Sequence, residues 1–271
     1  MTKRVALIGH PLLRRHSEAM HNAAFDHFGI DARYERRDLE LEELPAFVSE
    51  VRGEDWLGFQ VTTPYKQAIM EYLDDIEVDA RRIGAVNSVL LRDDGALVGF
   101  NTDAPGFRRA AEGELGIRFA GITAVVAGAG GAARAVVGAL VSSRAEAVTV
   151  GNRTASRAAD LAADFGDSVA GVGLGTPFDE ALSRAGVAVN ATTVGMMTPG
   201  VAFDVAALPA TAAVYDLVYE PIESELLQHA RARGLQAANG LGMLIAQAEI
   251  AFERWTNIPD AGSVMRRAIS P

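Results

Sequence analysis

The feature that most constrains this chain is the stretch 122–134, ITAVVAGAGGAAR, taken with Asn152-Arg153-Thr154 further on. An apolar, β-rich run breaks at Gly128-Ala129-Gly130-Gly131 and passes through Ala132 into an Ala-rich helical pattern. That is the order strand, glycine turn, helix N-terminus, in which backbone N–H groups and the positive helix end hold a pyrophosphate. A strand over 147–151 follows. An NAD-binding chain would normally end that strand on an acid for the ribose 2′-hydroxyl. In this sequence it ends in Gly151-Asn152-Arg153-Thr154, with Arg157 one helical turn on. A carboxylate would repel a 2′-phosphate, whereas guanidiniums and small hydroxyl or amide donors hold it. The pair of features reads as an NADP(H) site.

The rest of the sequence tells what else such a site has to work with. A chain of 271 residues has room for two modest domains. Its net charge of −10 argues against a nucleic-acid binder, and any anionic ligand must be met by local positive groups. There are no cysteines, which excludes disulfides and thiolate chemistry and fits a reducing cytosol. The N-terminal apolar run is too short for a signal peptide and reads as a first strand, and no run approaches the ~20 residues that span a bilayer.

Strand-like and helix-like patterns alternate from the start. Strands are expected at 5–8, 33–37 and 58–61, helices at 19–28 and 41–50, and a β-hairpin at 88–92 and 96–99 around Asp93-Asp94-Gly95. A second series runs through a helix at 104–115, the glycine-loop strand, a helix at 130–141, the 147–151 strand, a helix at 154–165, and strands at 187–190 and 213–216. After Gly240 the chain is helical, with no strand left to pair. The expected fold is α/β: an open, mostly parallel N-terminal domain (1–103 plus 240–271) and a Rossmann-type domain (104–239), the C-terminal helices packing back on the first.

Polar residues stand where strands of the first half should end. Gln60-Val61-Thr62-Thr63-Pro64-Tyr65-Lys66 follows an apolar strand, and its proline predicts a helix start. Lys66 then sits in a helical first turn, unfavourable for a cation, which points to a job over a merely solvated lysine. Asn87 and Ser88 open the hairpin, and Asn101-Thr102-Asp103 lies between the hairpin and a helix. Taken singly, Asp103 reads better as a helix N-cap and Asn87 as a turn residue. No His, Asp and Glu cluster has metal-ligand spacing, so no metal is expected, and His10 and His16 read as surface loop residues.

Gly9-x-Pro11, Ala19-Met20-His21-Asn22, Val61-Thr62-x-Pro64-x-Lys66, Gly84-Ala85-Val86-Asn87, Asn101-Thr102-Asp103 and Gly128-Ala129-Gly130-Gly131-Ala132 resemble the shikimate dehydrogenase family. So do Asn152-Arg153-Thr154, Asn190-Ala191-Thr192, Tyr219-x-Pro221 and Gly240-Leu241-Gly242-Met243-Leu244-x-x-Gln247, in order over essentially the whole chain. The resemblance implies NADP(H)-dependent, reversible reduction of 3-dehydroshikimate to shikimate, with Lys66 and Asp103 as the catalytic pair. It implies substrate contacts from Ser17, Thr62, Asn87, Tyr219 and Gln247, with Arg15 and Gln60 as further candidates. Cofactor contacts are implied for Gly128, Ala129, Gly130, Gly131, Ala132, Asn152, Arg153, Thr154, Arg157, Thr192, Leu217 and Gly240. The expected partners are small molecules, with neither nucleic acid nor membrane, in a cytoplasmic monomer or homodimer. Two alternatives stand beside this reading: a paralogue acting on quinate or a related polyhydroxy-cyclohexane carboxylate, and a non-catalytic NADP(H)-binding sensor.

One segment departs from the family. Where it reads His-Ser-x-Ser-Pro, this chain has Arg14-Arg15-His16-Ser17-Glu18, so one serine survives as Ser17 and the other is Arg15. The family's Asn before Val-Thr is Gln60 in this chain. An inward arginine would clamp the substrate carboxylate in place of hydroxyls, or serve a substrate with different polar groups; outward arginines would leave a weakened site.

Overall fold

A computed structural model describes residues 1–53 and 55–270. Contacts within the chain divide it into two compact units, Met1–Thr102 with Ile245–Pro271, and Asp103–Leu244.

The first unit begins with β1 (Lys3–Gly9), α1 (His16–Phe28), β2 (Ala32–Asp38), α2 (Leu44–Val51) and β3 (Trp56–Val61). It continues with β4 (Asp75–Ile76), α3 (Val78–Ile83), β5 (Ser88–Leu91) and β6 (Leu97–Phe100). These strands form one sheet in the order β2-β1-β3-β5-β6-β4. β1 is parallel to β2 and β3, β5 is antiparallel to β3 and β6, and β4 is parallel to β6. One edge of the sheet therefore gathers the carboxyl ends of β1, β3 and β6 and the start of β5. There Gln60 faces Ser88, and Ser88 faces Phe100.

Two expectations for this unit need correction. The single helix over 41–50 is a 3₁₀ turn, Leu41–Glu43, closed by a Glu40/Glu43 capping box, followed by α2. Pro45 occupies the first turn of α2, where a missing N–H costs nothing, so the helix starts afresh there. Pro64 does not start a helix. Residues 63–67 form turns, and a short 3₁₀ helix begins only at Ala68. Lys66 is thus a turn residue, and it meets no unfavourable helix end.

The second unit runs through α4 (Asp103–Leu115), β7 (Thr123–Ala127), α5 (Gly131–Ser142), β8 (Ala147–Asn152), α6 (Ala155–Ala163), β9 (Val169–Gly173) and α7 (Thr176–Leu182). It is completed by β10 (Val187–Asn190), β11 (Ala213–Asp216), α8 (Glu225–Ala232) and β12 (Gln236–Asn239). All its strands are parallel, in the order β12-β11-β10-β7-β8-β9. The order reverses between β7 and β10, the switch point at which ligands bind in doubly wound sheets. β7, β10 and β11 are covered on both faces and read as unbroken apolar runs. β9 and β12 were not expected from the sequence.

α9 (Leu241–Thr256) and α10 (Gly262–Ile269) close the chain. In the first unit α10 packs on α1, and Phe252 meets Phe25 at 5.3 Å. The Trp255 indole N–H donates to the Val89 carbonyl at 3.0 Å. On the opposite face of the sheet, Leu44, Phe47 and Val51 of α2 join Ala6, Ile8, Phe59 and Val61 in one core cluster. Full burial of each such aromatic or branched side chain stabilises by roughly 1.5–3 kcal/mol.

Candidate active site

At the carboxyl edge of the first sheet, a chain of buried polar side chains replaces the apolar core. The Tyr34 hydroxyl donates to Gln60 Oε1 at 2.7 Å, and Gln60 Nε2 donates to Gln247 Oε1 at 2.9 Å. Gln60 Nε2 also reaches Ser88 Oγ at 3.5 Å. Thr102 Oγ1 lies 3.4 Å from Gln247 Oε1. Asn87 holds Thr102 twice: its Oδ1 accepts the Thr102 N–H at 2.8 Å, and its Nδ2 donates to Thr102 Oγ1 at 2.9 Å. Each buried polar atom so paired avoids a desolvation penalty of about 1–3 kcal/mol.

Ser17, in the first turn of α1, is half-buried and hydrogen-bonds the Tyr34 hydroxyl. Burial holds the Tyr34 phenol well above its ordinary range, so it stays a neutral donor. His21 stacks on Tyr34 at 4.5 Å with the rings 9° apart. Burial pushes its pKa down to about 3, partly opposed by Gln60, so its imidazole is neutral. Arg15 immediately precedes α1 and is exposed, whereas Arg14 is half-buried with Nη1 shielded from solvent. His16 is the first residue of α1, half-buried rather than on the surface, and His10 is exposed and bound to Asp38 at 2.8 Å.

The loops over this edge carry the remaining first-half candidates. The Thr62 N–H donates to the Ile8 carbonyl at 2.8 Å, continuing the β1–β3 ladder one residue past β3. Lys66 is half-buried, and its carbonyl accepts the Val86 N–H at 2.8 Å, tying the lysine turn to the segment that delivers Asn87. Asp103 is the buried first residue of α4, where its carboxylate meets the positive end of the helix.

In the second unit, Asn239, Asp216, Asn190, Ala127 and Gly151 stand side by side across the carboxyl edge of the sheet. Gly128 comes next after Ala127 and donates to the Gly151 carbonyl at 2.8 Å. Its φ of 113° and a would-be Cβ only 2.8 Å from the Ala191 carbonyl oxygen restrict the position to glycine. Gly130 caps α5 without a side chain, and a Cβ there would meet nothing within 4 Å. The turn thus leaves room beside the start of α5, where the first N–H groups of a helix have no intrahelical partner and a phosphate can bind. Ala129, Gly131 and Ala132 flank this turn half-buried. Asn152 ends β8 and donates to the Thr154 carbonyl at 3.1 Å, while Arg153, Thr154 and Arg157 are exposed. These residues fit a dinucleotide that carries a 2′-phosphate.

Asn190 and Asp216 organise the loops beyond their strands. Asn190 Oδ1 accepts the Thr192 N–H at 2.9 Å and the Thr192 hydroxyl at 2.7 Å, and its Nδ2 donates to Asp216 Oδ1 at 2.8 Å. Asp216 also accepts the Val218 N–H at 3.0 Å and the Ser224 hydroxyl at 2.5 Å. Burial raises its pKa, and those donors pull it back. The Leu217 N–H donates to the Asn190 carbonyl at 2.9 Å, and a Cβ on Gly240 would lie 2.1 Å from the Leu217 carbonyl oxygen. Tyr219 follows in the same loop, half-buried.

Among the described residues no group of three or more His, Asp or Glu could hold a metal ion, and no helix is long and apolar enough to cross a membrane. Sequence reasoning had assigned no role to Tyr34, Ser88, Asp216 or Ser224. An acid ending an apolar strand beside the Asn190 strand end was the available signal for Asp216. Ser88 stood out only as a polar residue opening the hairpin, and Tyr34 gave no signal before the pairing of β1, β2 and β3 was known.

Comparison with known proteins adds an independent line. A family profile described as the shikimate dehydrogenase substrate binding domain matches residues 7–89. One described as shikimate / quinate 5-dehydrogenase matches 109–197, and the shikimate 5′-dehydrogenase C-terminal domain matches 240–269. The chain is 42% identical over 275 residues to the shikimate dehydrogenase (NADP(+)) of Symbiobacterium thermophilum, covering 97% of this chain and 92% of that protein. It resembles a crystal structure of shikimate 5-dehydrogenase from Thermus thermophilus in complex with NADP(H) and shikimate (TM-score 0.87, 40% identity, 98% and 100% coverage). It is also similar to quinate dehydrogenase from Corynebacterium glutamicum in complex with NAD (TM-score 0.88, 35% identity, 98% of each chain).

Proposed function

From the premise that this chain belongs to the shikimate dehydrogenase family, we propose that it catalyses the NADP(H)-dependent, reversible reduction of 3-dehydroshikimate to shikimate. The single observation that carries this reading is likeness over nearly the full length to NADP(+)-dependent shikimate dehydrogenases, with Lys66 and Asp103 both present. A sensor that only bound the cofactor would not need that pair.

The second unit takes the cofactor and the first takes the substrate. Gly128–Ala132 and the α5 N-terminus would hold the diphosphate, and Asn152, Arg153, Thr154 and Arg157 the 2′-phosphate. Thr192, Leu217 and Gly240 would line the nicotinamide end. When bound, the reduced nicotinamide supplies a hydride to the ketone carbon. Lys66 Nζ donates a proton to the oxygen that thereby gains charge, and recovers one from solvent. Asp103 orients the ammonium and a neighbouring substrate hydroxyl. Ser17, Thr62, Asn87, Tyr219 and Gln247 bind the ring hydroxyls and the carboxylate. The absence of cysteine supports a cytoplasmic enzyme.

The test is nicotinamide absorbance of the purified protein with shikimate and quinate against NADP⁺ and NAD⁺. Turnover of shikimate with NADP⁺ is expected, and its absence at millimolar concentrations would sink the assignment. Lys66→Ala should lower kcat by about 10²–10⁴-fold, the usual contribution of a positioned proton donor. Cofactor affinity should stay near that of the unchanged protein.

A further inference from the structure

Gln60 stands where the family carries an asparagine expected to face the substrate. Its amide is 3% exposed and spoken for at both ends: Oε1 accepts from Tyr34, and Nε2 donates to Gln247 and reaches Ser88. Donation along this row runs from Tyr34 to Gln60 and from Gln60 to Gln247. A tyrosine hydroxyl carries one hydrogen, which Tyr34 directs to Gln60, so the Gln60 amide must turn its NH₂ toward Gln247. Gln247 Oε1 then accepts from Gln60 at 2.9 Å, with Thr102 Oγ1 at 3.4 Å on its other side. Thr102 Oγ1 also lies 3.3 Å from Asn87 Oδ1, so its one hydrogen is shared between the two oxygens, and the firm contact on Gln247 Oε1 is the one from Gln60.

We infer that Gln60 is a positioning residue for substrate selection, fixing the Gln247 amide so that it meets the substrate with its NH₂ and never with its oxygen. The inference rests on the shikimate reading above. Gln247 so held recognises an acceptor, a hydroxyl oxygen or a carboxylate, and disfavours a ring substituent that can only donate. The added methylene of Gln60 lets one amide span Tyr34 and Gln247 at once. An asparagine rooted at the same backbone position is too short to reach both.

The experiment is steady-state kinetics of shikimate oxidation with Gln60→Met, Gln60→Asn and Gln247→Ala, singly and combined. Methionine matches the length of glutamine but neither donates nor accepts in its place. Gln60→Met should raise the KM for shikimate about tenfold, with kcat and the KM for NADP⁺ within about twofold. Gln60→Asn should raise it in the same sense by less. In the Gln247→Ala background neither substitution should raise it further, because the effect travels through Gln247. If Gln60 touched substrate itself, Gln60→Asn would restore the family contact, KM would hold or fall, and the Met effect would persist in Gln247→Ala. Either result overturns the inference alone. Absence of shikimate turnover by the unchanged protein overturns the proposed function and this inference together. Gln60→Asn keeps an amide at that depth and decides the question should Gln60→Met not fold.

Discussion

His21 shows how one side chain ties the site to solution conditions. Buried between Tyr34, Phe25, Phe252 and Trp255, it is held neutral with a pKa of about 3 against an ordinary 6.5. The unfolded chain therefore takes up a proton that the folded chain refuses. The stability this gives is complete above pH 6.5 and is lost progressively as the pH falls towards 3. At pH 5 the loss from this residue is about 2 kcal/mol. Both tryptophans, Trp56 and Trp255, belong to the first unit, so urea unfolding followed by their fluorescence reads that unit. The midpoint should fall between pH 7.5 and pH 5, and His21→Phe should flatten that fall; equal slopes would refute the account. The sequence carried His21 only as part of a motif. Its neutrality follows from what surrounds it, and those rings come from α1, β2 and α9.

At the scale of elements, the loops after β10 and β11 depend on one buried carboxylate. Asp216→Ala would strand the Ser224 hydroxyl, the Val218 N–H and one Asn190 donor, and would loosen the cap of α8. The expected cost is about 3 kcal/mol, read as a lower Tm of the second unit, with a raised KM for NADP⁺ as Thr192 and Leu217 lose their anchor. A variant as stable as its parent would contradict this. The strands that carry these loops were legible because double burial writes itself as an unbroken apolar run. β9 and β12 were not: Val-Ala-Gly-Val-Gly and Gln-Ala-Ala-Asn are glycine-rich or polar edge strands, held by pairing with β8 and β11 more than by composition. The polar row was hidden for another reason. Gln60 and Gln247 are separated by 187 residues, and no local pattern announces a bond of that span. The glycine turn was legible because strand, turn and helix stand in consecutive letters, whereas Lys66 and Asp103 were joined as a pair only by their place in motifs that resemble the family's.

For the whole molecule, the charge sets the terms on which the cofactor is taken up. A chain of net charge −10 repels a polyanion at long range, so the role proposed for Arg153 and Arg157 is one exerted at contact. Arg153→Ala should raise the KM for NADP⁺ about tenfold, a loss of about 1.4 kcal/mol, and leave turnover with NAD⁺ nearly unchanged. Loss of both activities alike would mean that this residue does not read the 2′-phosphate. The boundary between the two units falls at one peptide bond: Thr102 closes the polar row of the first, and Asp103 opens α4 of the second. A second boundary cuts α9 between Leu244 and Ile245, after Gly240 and before Gln247. For anyone hoping to swap nucleotide specificity by exchanging cassettes, this is a warning. A transplanted 103–244 segment must begin with its own aspartate and end inside a helix that the recipient completes, so the aspartate proposed for catalysis travels with the cofactor unit.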